Sequence, residues 1–414
     1  MTRMDLPTRL SPDPDTLRAL IAEGPSPKAA ALLTGSPCTS LTVARVHFPA
    51  TKPMQLVLRA EDCSGATRTV IAEWVGPNAP ALALAESARL SKPRRGQSSA
   101  GPVAAVAADT VHGLLLRRPG FDTKLPGLRL LHDPDWAADR LTKLGLDPAS
   151  RIELVAHRLG KRAVLRIVGQ RGTHYARLRP VTSGSGQTAF DRHQALWSAL
   201  DGQTGLTIPR PLRFDPDLGL ALYDALAGTP PVFQGLPGFR ATRDVMRALQ
   251  CLQGLQFDDD EHRATDELAI LNSWADRTAE VFPDLAQRLH APLAQLTNDT
   301  LSMRTLPPVP CHRDLHEGQI LLHQGTVGLL DFDTLRLGDP SLDIGNLQAH
   351  LLLAGLHGGT SRRAFLNAMD LAVPHLSQRR IDIWRRAALL RLAMIYAFSS
   401  TPAAVIRGLI DEAT

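Results

Sequence analysis

Apolar and polar residues alternate with a period of two in three stretches near the amino terminus: LTVARVHF (41–48), MQLVLRAED (54–62) and TRTVIAEWVG (67–76). Such alternation puts one row of side chains on a buried face and the next in water, so each stretch predicts a half-buried β-strand. Residues before about 40 read as helix and then loop. The alternation returns in RIELVAHRL (151–159), RAVLRIVG (162–169) and THYARLRP (173–180). Tight turns at Gly160-Lys161 and Gln170-Arg171-Gly172 join these three, and a short amphipathic helix, DPDWAADRLTKLGL (133–146), leads into them. The two strand groups look alike, KPMQLVLRAEDCSGATRTVIAEWV against GKRAVLRIVGQRGTHYARLRPV. A diverged repeat explains that likeness, and so does the coincidence of two amphipathic hairpins.

Beyond VTSGSGQT, which reads as a loop, the period lengthens. AFDRHQALWSALDG places Phe190, Leu196, Trp197 and Leu200 at helical intervals. LTIPRPLRFDPDLGLALYDALAGTP reads as strand, Asp-Pro turn, strand and a Gly-Thr-Pro exit. From about 231 the pattern is helical, interrupted by the short apolar runs within CHRDLHEGQILLHQGTVGLLDFDTLRLGDPSLDIGN (311–346). The stretch IDIWRRAALLRLAMIYAF has Ile381, Trp384, Ala388, Leu392 and Ile395 at helical spacing, and Arg385, Arg386 and Arg391 mark it as a core helix and not a membrane span. A β-rich half followed by an α-rich half predicts an α+β, two-lobed plan. The clearest linker is KPRRGQSSAGPV (92–103).

Composition narrows this plan. A chain of 414 residues with 44% hydrophobic and 21% charged content is globular and long enough for two or three domains. Its four cysteines, Cys38, Cys63, Cys251 and Cys311, include no CxxC pair, which excludes a zinc knuckle or disulfide framework and suggests buried thiols. No signal-peptide pattern opens the sequence, so a cytoplasmic protein with no membrane partner is expected. The net charge of +5 suits an anionic ligand, yet the cations are scattered and aromatics are 5%, which argues against nucleic acid as a partner.

The chemistry gathers at 311–346. His312, Arg313, Asp314, Gln319, Asp331, Asp333 and Asp343 flank apolar runs, so they fall at strand ends where backbone direction fixes their aim. HRDLHEGQ, then DFD seventeen residues after its Asp, then GDPSLDIGN resembles the catalytic segment of the aminoglycoside phosphotransferase family, relatives of the protein kinases. The resemblance covers about 136–414. It implies a protein-kinase-like fold: a β-rich small lobe at 136–227, a helical large lobe at 228–414 with the catalytic loop and metal site, and an extra amino-terminal region at 1–135 with no assigned role.

It also implies transfer of the γ-phosphate of ATP or GTP, with Mg²⁺, to a hydroxyl of a small molecule such as a sugar, an amino alcohol or an aminoglycoside. Phosphoryl transfer asks a protein for positioning and charge more than for covalent chemistry. By this resemblance Asp314 accepts the hydroxyl proton, His312 supports the loop, and Gln319 and Asp331 hold Mg²⁺. Asp333 is either a further metal contact or a turn cap. Asp343 either braces the catalytic loop or stands as an N-terminal helix carboxylate.

By the same resemblance Gly160 and Lys161 would form the turn over the phosphates, where a lone glycine also reads as an ordinary hairpin turn, and backbone groups from Asp224 to Leu226 would pair with the nucleotide base. The strand lysine of the family is missing. Arg177 or Arg179 takes its place, Arg177 being nearer the middle of the strand, and an arginine fork is not an ammonium. The family's helical glutamate is absent too, Asp191 being the nearest carboxylate. A basic chain argues mildly for a neutral or anionic acceptor over a polycationic one. Two other readings remain: a catalytically silent kinase-like protein that binds nucleotide or partners, and a metallohydrolase in which His312, Asp314 and His316 alternate along a strand and join Asp331 around zinc or iron.

Overall fold

The alternating stretches become strands in a computed structural model that describes residues 10–49, 51–90, 104–147, 151–358 and 361–414. The expected linker at 92–103 lies outside the described residues. The chain divides into two compact units, one of Met1–Phe190, Leu212–Asp224 and Phe398–Ser400, the other of Asp191–Pro211, Ala225–Ala397 and Thr401–Thr414.

The first unit opens with helices α1 (Pro14–Glu23) and α2 (Pro27–Thr34), each started by a proline in its first turn and stopped by a glycine at positive φ. Strands β1 (Cys38–His47), β2 (Gln55–Asp62) and β3 (Thr67–Trp74), helix α3 (Ala79–Leu90), and strands β4 (Val106–Asp109) and β5 (Leu114–Arg117) follow. The sheet order is β1-β2-β3-β5-β4.

Helix α4 (Pro134–Lys143) then leads into β6 (Arg151–Arg158), β7 (Arg162–Gly169), β8 (Gly172–Leu178) and helix α5 (Ser185–Ala199). After β9 (Leu206–Thr207) come β10 (Pro211–Asp215) and β11 (Leu220–Asp224), which complete a second sheet of order β10-β11-β8-β7-β6. Alternation in β7 and β8 buries Ala163, Leu165, Ile167, Ala176 and Leu178 on one face, against Leu128 and Leu141.

The two sheets share one plan. In each, three consecutive strands form a meander, a helix precedes the fourth, and the fifth pairs with the third. Each also has a bulge in its first hairpin, between Val43 and Arg45 opposite Leu58 and Val57, and between Leu154 and Ala156 opposite Leu165 and Val164. Matching the bulges aligns Val57-Leu58-Arg59 with Val164-Leu165-Arg166. A repeated supersecondary unit accounts for order, bulge and triplet together, whereas two unrelated hairpins must coincide three times.

The second unit is mainly helical. It contains α6 (Gly235–Gln253), β12 (Glu261–His262), α7 (Ala264–Val281), α8 (Pro283–Leu301), β13 (Val309–Cys311), β14 (Ile320–His323), β15 (Thr326–Leu329), β16 (Arg336–Gly338), α9 (Leu342–Gly358), α10 (Arg363–Ala372), α11 (Gln378–Ala397) and α12 (Ala403–Asp411). Its strands make two small sheets, β12-β16-β13 and β14-β15-β9. One core runs from Leu196 and Val245 through Leu315 and Ile344 to Leu390 and Leu409. Among the described residues, no helix is long and apolar enough to cross a membrane.

Some expectations change. The loop expected through VTSGSGQT ends at Gly184, whose positive φ turns the chain so that α5 already begins at Ser185. Trp197 is 40% exposed, because it sits one residue, about 100° of helix, beyond the buried Leu196. Of the cysteines only Cys311 is buried, while Cys63 is exposed and Cys38 and Cys251 are half-buried.

Candidate active site

The segment from His312 to Asp343 is folded around two backbone features that the sequence pattern does not show. Arg313 and Asp331 both take positive φ, 67° and 60°, which a side-chain-bearing residue adopts only when its surroundings over-determine it. At Arg313 the determinant is Asp343. Its carboxylate, fully buried in the first turn of α9, accepts the N–H of His312 on Oδ2 and of Arg313 on Oδ1, both at 2.7 Å. Burial pushes the Asp343 carboxyl above its usual range, and these donors with His312 and Arg313 oppose the rise. Asp343 thus takes both places expected for it, a carboxylate in the first turn of α9 whose oxygens brace the loop.

His312 is fully buried and joins the two halves of the segment. Its ring lies at 2.6 Å through Nε2 from the carbonyl of Leu330, the residue before Asp331, and its Nδ1 faces the N–H of Asp314 at 3.4 Å. These partners assign the proton to Nε2, the donor to Leu330. The carbonyl of His312 accepts the Thr334 hydroxyl at 2.8 Å, and its ring packs on Phe332 at 4.8 Å. Asp314, itself exposed, and Asp331 are thereby held to one buried imidazole by backbone on either side.

Gln319 and Asp331 flank the open end of the β14–β15 hairpin. Ile320 pairs with Leu329, and beyond that pair Leu330 N–H donates to Gln319 O at 2.9 Å. Asp333 lies in the 3₁₀ turn Phe332–Thr334, so it is not related to Asp331 by strand alternation as an extended chain would have it. Likewise the turn at Arg313 removes the alternation on which the metallohydrolase reading depended, and His312 Nε2 is engaged by Leu330. Among the described residues no three His, Cys, Asp or Glu side chains gather as a metal site. Gln319, Asp331 and Asp333 offer only oxygen donors, the kind Mg²⁺ takes while keeping water and phosphate ligands, so the residues present fit that ion.

A buried relay that sequence reasoning missed supports the loop from behind. Asn346 Nδ2 donates to Leu315 O at 2.8 Å, and its Oδ1 accepts Arg391 Nη2 at 2.7 Å. Arg391 also pairs with Glu267, which lies 3.1 Å from His262. Burial alone would raise the Glu267 carboxyl, but Arg391 and the His262 hydrogen bond hold it at about 2. The signal available in the sequence was Asn346, three residues after Asp343. On α5, Arg192 reaches Asp259 at 3.3 Å and Leu335 O at 3.4 Å, and His193 stands edge-on to Phe332. A pocket of about 450 Å³ in this unit is lined by Arg263, Arg304, Arg380 and Trp384 among others, and neither Asp314 nor Asp331 lines it.

In the first unit Arg177 sits on the central strand β8, paired with Val164 and Ala221. Alternation puts Tyr175, Arg177 and Arg179 on the face opposite the buried Ala176 and Leu178. Asp224 ends β11 beside His174, with 3.1 Å between carboxylate and imidazole. Gly160 has φ 63°, and its N–H donates to the buried carboxylate of Asp122 at 2.6 Å. Lys161 N–H closes the turn on Arg158 O at 3.0 Å. In the second unit Leu226 packs on Gly328 of β15, where a Cβ would come within 2.9 Å of it.

A family model described as the phosphotransferase enzyme family, APH, matches residues 162–369, half of the chain. The chain belongs to this family. The α+β, protein-kinase-like fold expected from the catalytic segment is accordingly the fold of this phosphotransferase-family chain. Solved structures similar to it include spectinomycin phosphotransferase APH(9)-Ia with ADP and spectinomycin, 9% identical over 67% of this chain and 97% of that one at a TM-score of 0.48. The apoenzyme of macrolide 2'-phosphotransferase from Brachybacterium faecium is 17% identical over 67% and 97%, TM-score 0.44. Ethanolamine kinase from Plasmodium vivax is 10% identical over 63% and 80%, TM-score 0.44. No curated protein sequence matches the chain.

Proposed function

We propose that this protein transfers the γ-phosphate of ATP or GTP to a hydroxyl of a small molecule, with Asp314 as the base that accepts the hydroxyl proton. The observation that carries this reading is the latch at His312. One buried imidazole, fixed by Leu330 O and by the Asp343 brace on its own N–H, ties the backbone carrying Asp314 to the backbone carrying Asp331. A carboxylate that orients a nucleophile and oxygen ligands that meet phosphates must keep a fixed mutual geometry, because misplacement by about 1 Å costs on the order of 10²-fold in rate. The backbone strain at Arg313 and Asp331 is consistent with that demand.

In this reading Asp314, exposed at its loop, hydrogen-bonds the acceptor hydroxyl and takes its proton as transfer proceeds. Gln319 and Asp331, with Asp333 as the further carboxylate, would hold Mg²⁺, which when bound supplies positive charge to the phosphate oxygens. Arg177 and Lys161 of the first unit are the cations assigned to nucleotide phosphate, and the backbone of the connecting residues Asp224 to Leu226 is assigned to the base. A net positive charge favours a neutral or anionic acceptor, such as a sugar, over a polycation.

One observation favours the alternative, a catalytically silent nucleotide-binding or interaction protein: the Gly160 amide is already taken by Asp122. Thermal shifts with ATP and GTP, each with and without Mg²⁺, separate the two. Active enzyme is expected to show a Mg²⁺-dependent shift that Asp331→Ala loses and Asp314→Ala keeps, with transfer to a hydroxyl-metabolite panel abolished in both. Folded wild type that shifts with neither nucleotide refutes the enzyme reading.

A further inference from the structure

The cavity of about 450 Å³ in the second unit is lined by neither Asp314 nor Asp331, and the reaction as read above makes no use of it. Its walls are β12 with the first turn of α7, the end of α8 with the chain that follows, the end of β16, and one face of α11. That volume suits a small organic molecule.

The charges around it do not cancel. Three arginines and two carboxylates line it. Arg380 is fully committed: its Nε reaches both oxygens of Asp339, at 3.1 and 2.8 Å, and its Nη1 donates to Arg304 O at 2.7 Å. Arg263 shares Glu261, Nε to Oε2 at 3.1 Å. Arg304 gives its backbone carbonyl to Arg380, while its guanidinium has no hydrogen-bond or ion-pair partner among the described residues.

The rest of the wall is largely apolar and carries a second unsatisfied group. Leu301, Met303 and Leu306 line it, and Leu301 is exposed despite its size. Trp384 is 4% exposed, yet its indole Nε1–H is buried with no acceptor among the described residues. A buried donor without an acceptor is costly, so an occupant that brings an oxygen to this wall recovers what folding left unpaired. A lone guanidinium fork beside an apolar wall matches the two oxygens and single charge of a carboxylate on an apolar body. A polyphosphate would need more free cations than line this cavity.

The same walls support the loop that carries Asp314. His262, buried at the cavity, stands with Nε2 3.1 Å from Glu267, and Glu267 leads through Arg391 and Asn346 to Leu315 O, beside Asp314. Gly338 pairs with Val309 of β13, whose last residue, Cys311, precedes His312. A ligand that binds only the folded chain protects the elements it touches from local opening.

We propose that this cavity binds a small organic acid, one carboxylate on an apolar body held by Arg304, and that its occupant steadies the Asp314 loop from behind. The site stands whether or not the chain transfers phosphate; only its bearing on turnover rests on that reading.

Calorimetry on the full chain compares hexanoate, benzoate and cinnamate with their amides and with inorganic phosphate. Arg304→Gln and Arg304→Lys are the variants, and because the side chain is exposed both should fold as wild type does. At least one acid is expected to bind wild type, about tenfold tighter than its amide and about tenfold tighter than it binds Arg304→Gln, with partial recovery in Arg304→Lys. With methyl-labelled methionine, the Met303 signal, identified by its loss in Met303→Leu, is expected to shift on binding, and amide exchange over residues 309–316 to slow. Failure of all three acids to bind, amides that bind as tightly, or binding that leaves the Met303 signal unmoved overturns the site. Inorganic phosphate that binds tighter than the acids overturns the ligand class. Binding with unchanged exchange over 309–316 overturns the hold on the loop. Protein that binds the acid but shows no Mg²⁺-nucleotide shift keeps the site and refutes the kinase reading alone.

Discussion

At the scale of single residues the segment from His312 to Asp343 depends on one buried carboxylate more than on the groups that face solvent. Asp343 satisfies two backbone N–H groups that have no water to turn to. Asp343→Ala leaves both unpaired and lets Arg313 leave its positive φ, at a cost of about 2–4 kcal/mol from two lost buried acceptors. Asp343→Asn keeps one acceptor oxygen and should lose roughly half of that. Urea unfolding of the two variants checks the order, and a variant Asp343→Ala as stable as wild type contradicts it. Arg313 Nε and Trp384 Nε1 are buried among the described residues without a hydrogen-bond partner, so this segment tolerates little further loss.

At the scale of elements, the brace works because α9 is pressed against α11. Gly345, two residues after Asp343, comes so close that a Cβ there would stand 2.6 Å from Arg385 N and 2.7 Å from the Trp384 carbonyl carbon. Those are backbone atoms and cannot step aside as a side-chain tip does. Gly345→Ala should therefore destabilise by about 1–3 kcal/mol through overpacking, although alanine is the better helix former. Its effect on turnover should exceed that of an exposed α9 substitution, since Asp343 and Asn346 shift with the helix. A thermal midpoint at or above wild type would show that the helices can part without cost.

At the scale of the whole molecule, stability should depend on pH in two staggered windows. His47 titrates near 3 in the folded chain and near 6.5 when unfolded, so the unfolded chain takes up the proton first as pH falls. Its contribution is complete above pH 6.5 and is lost progressively toward 3. Glu267, held at about 2 by Arg391 and His262 against the effect of burial, contributes above 4.5 and loses its contribution as pH falls through 2. Between pH 7 and 5, His47→Gln should flatten the fall in thermal midpoint while Glu267→Gln leaves the slope unchanged; parallel profiles for wild type and His47→Gln would contradict the lowered His47 titration, which burial first and then Arg158 cause.

The sequence by itself determined the elements and the family. Period-two alternation set β1 to β3 and β6 to β8, helical spacing set α11, and the ordered HRDLHEGQ, DFD and GDPSLD marked the candidate active-site segment, because these signals are local and do not depend on partners distant in the chain. Tertiary structure decided what those residues meet. That Asp122 takes the Gly160 amide across thirty-eight positions and that Asn346 and Arg391 stand behind Leu315 are matters of chain return, which no local period encodes. The same holds for the repeat. Its hairpins were visible as a likeness, but only pairing of β5 with β3 and of β11 with β8 made it one plan used twice, because strand order is fixed by non-local hydrogen bonds.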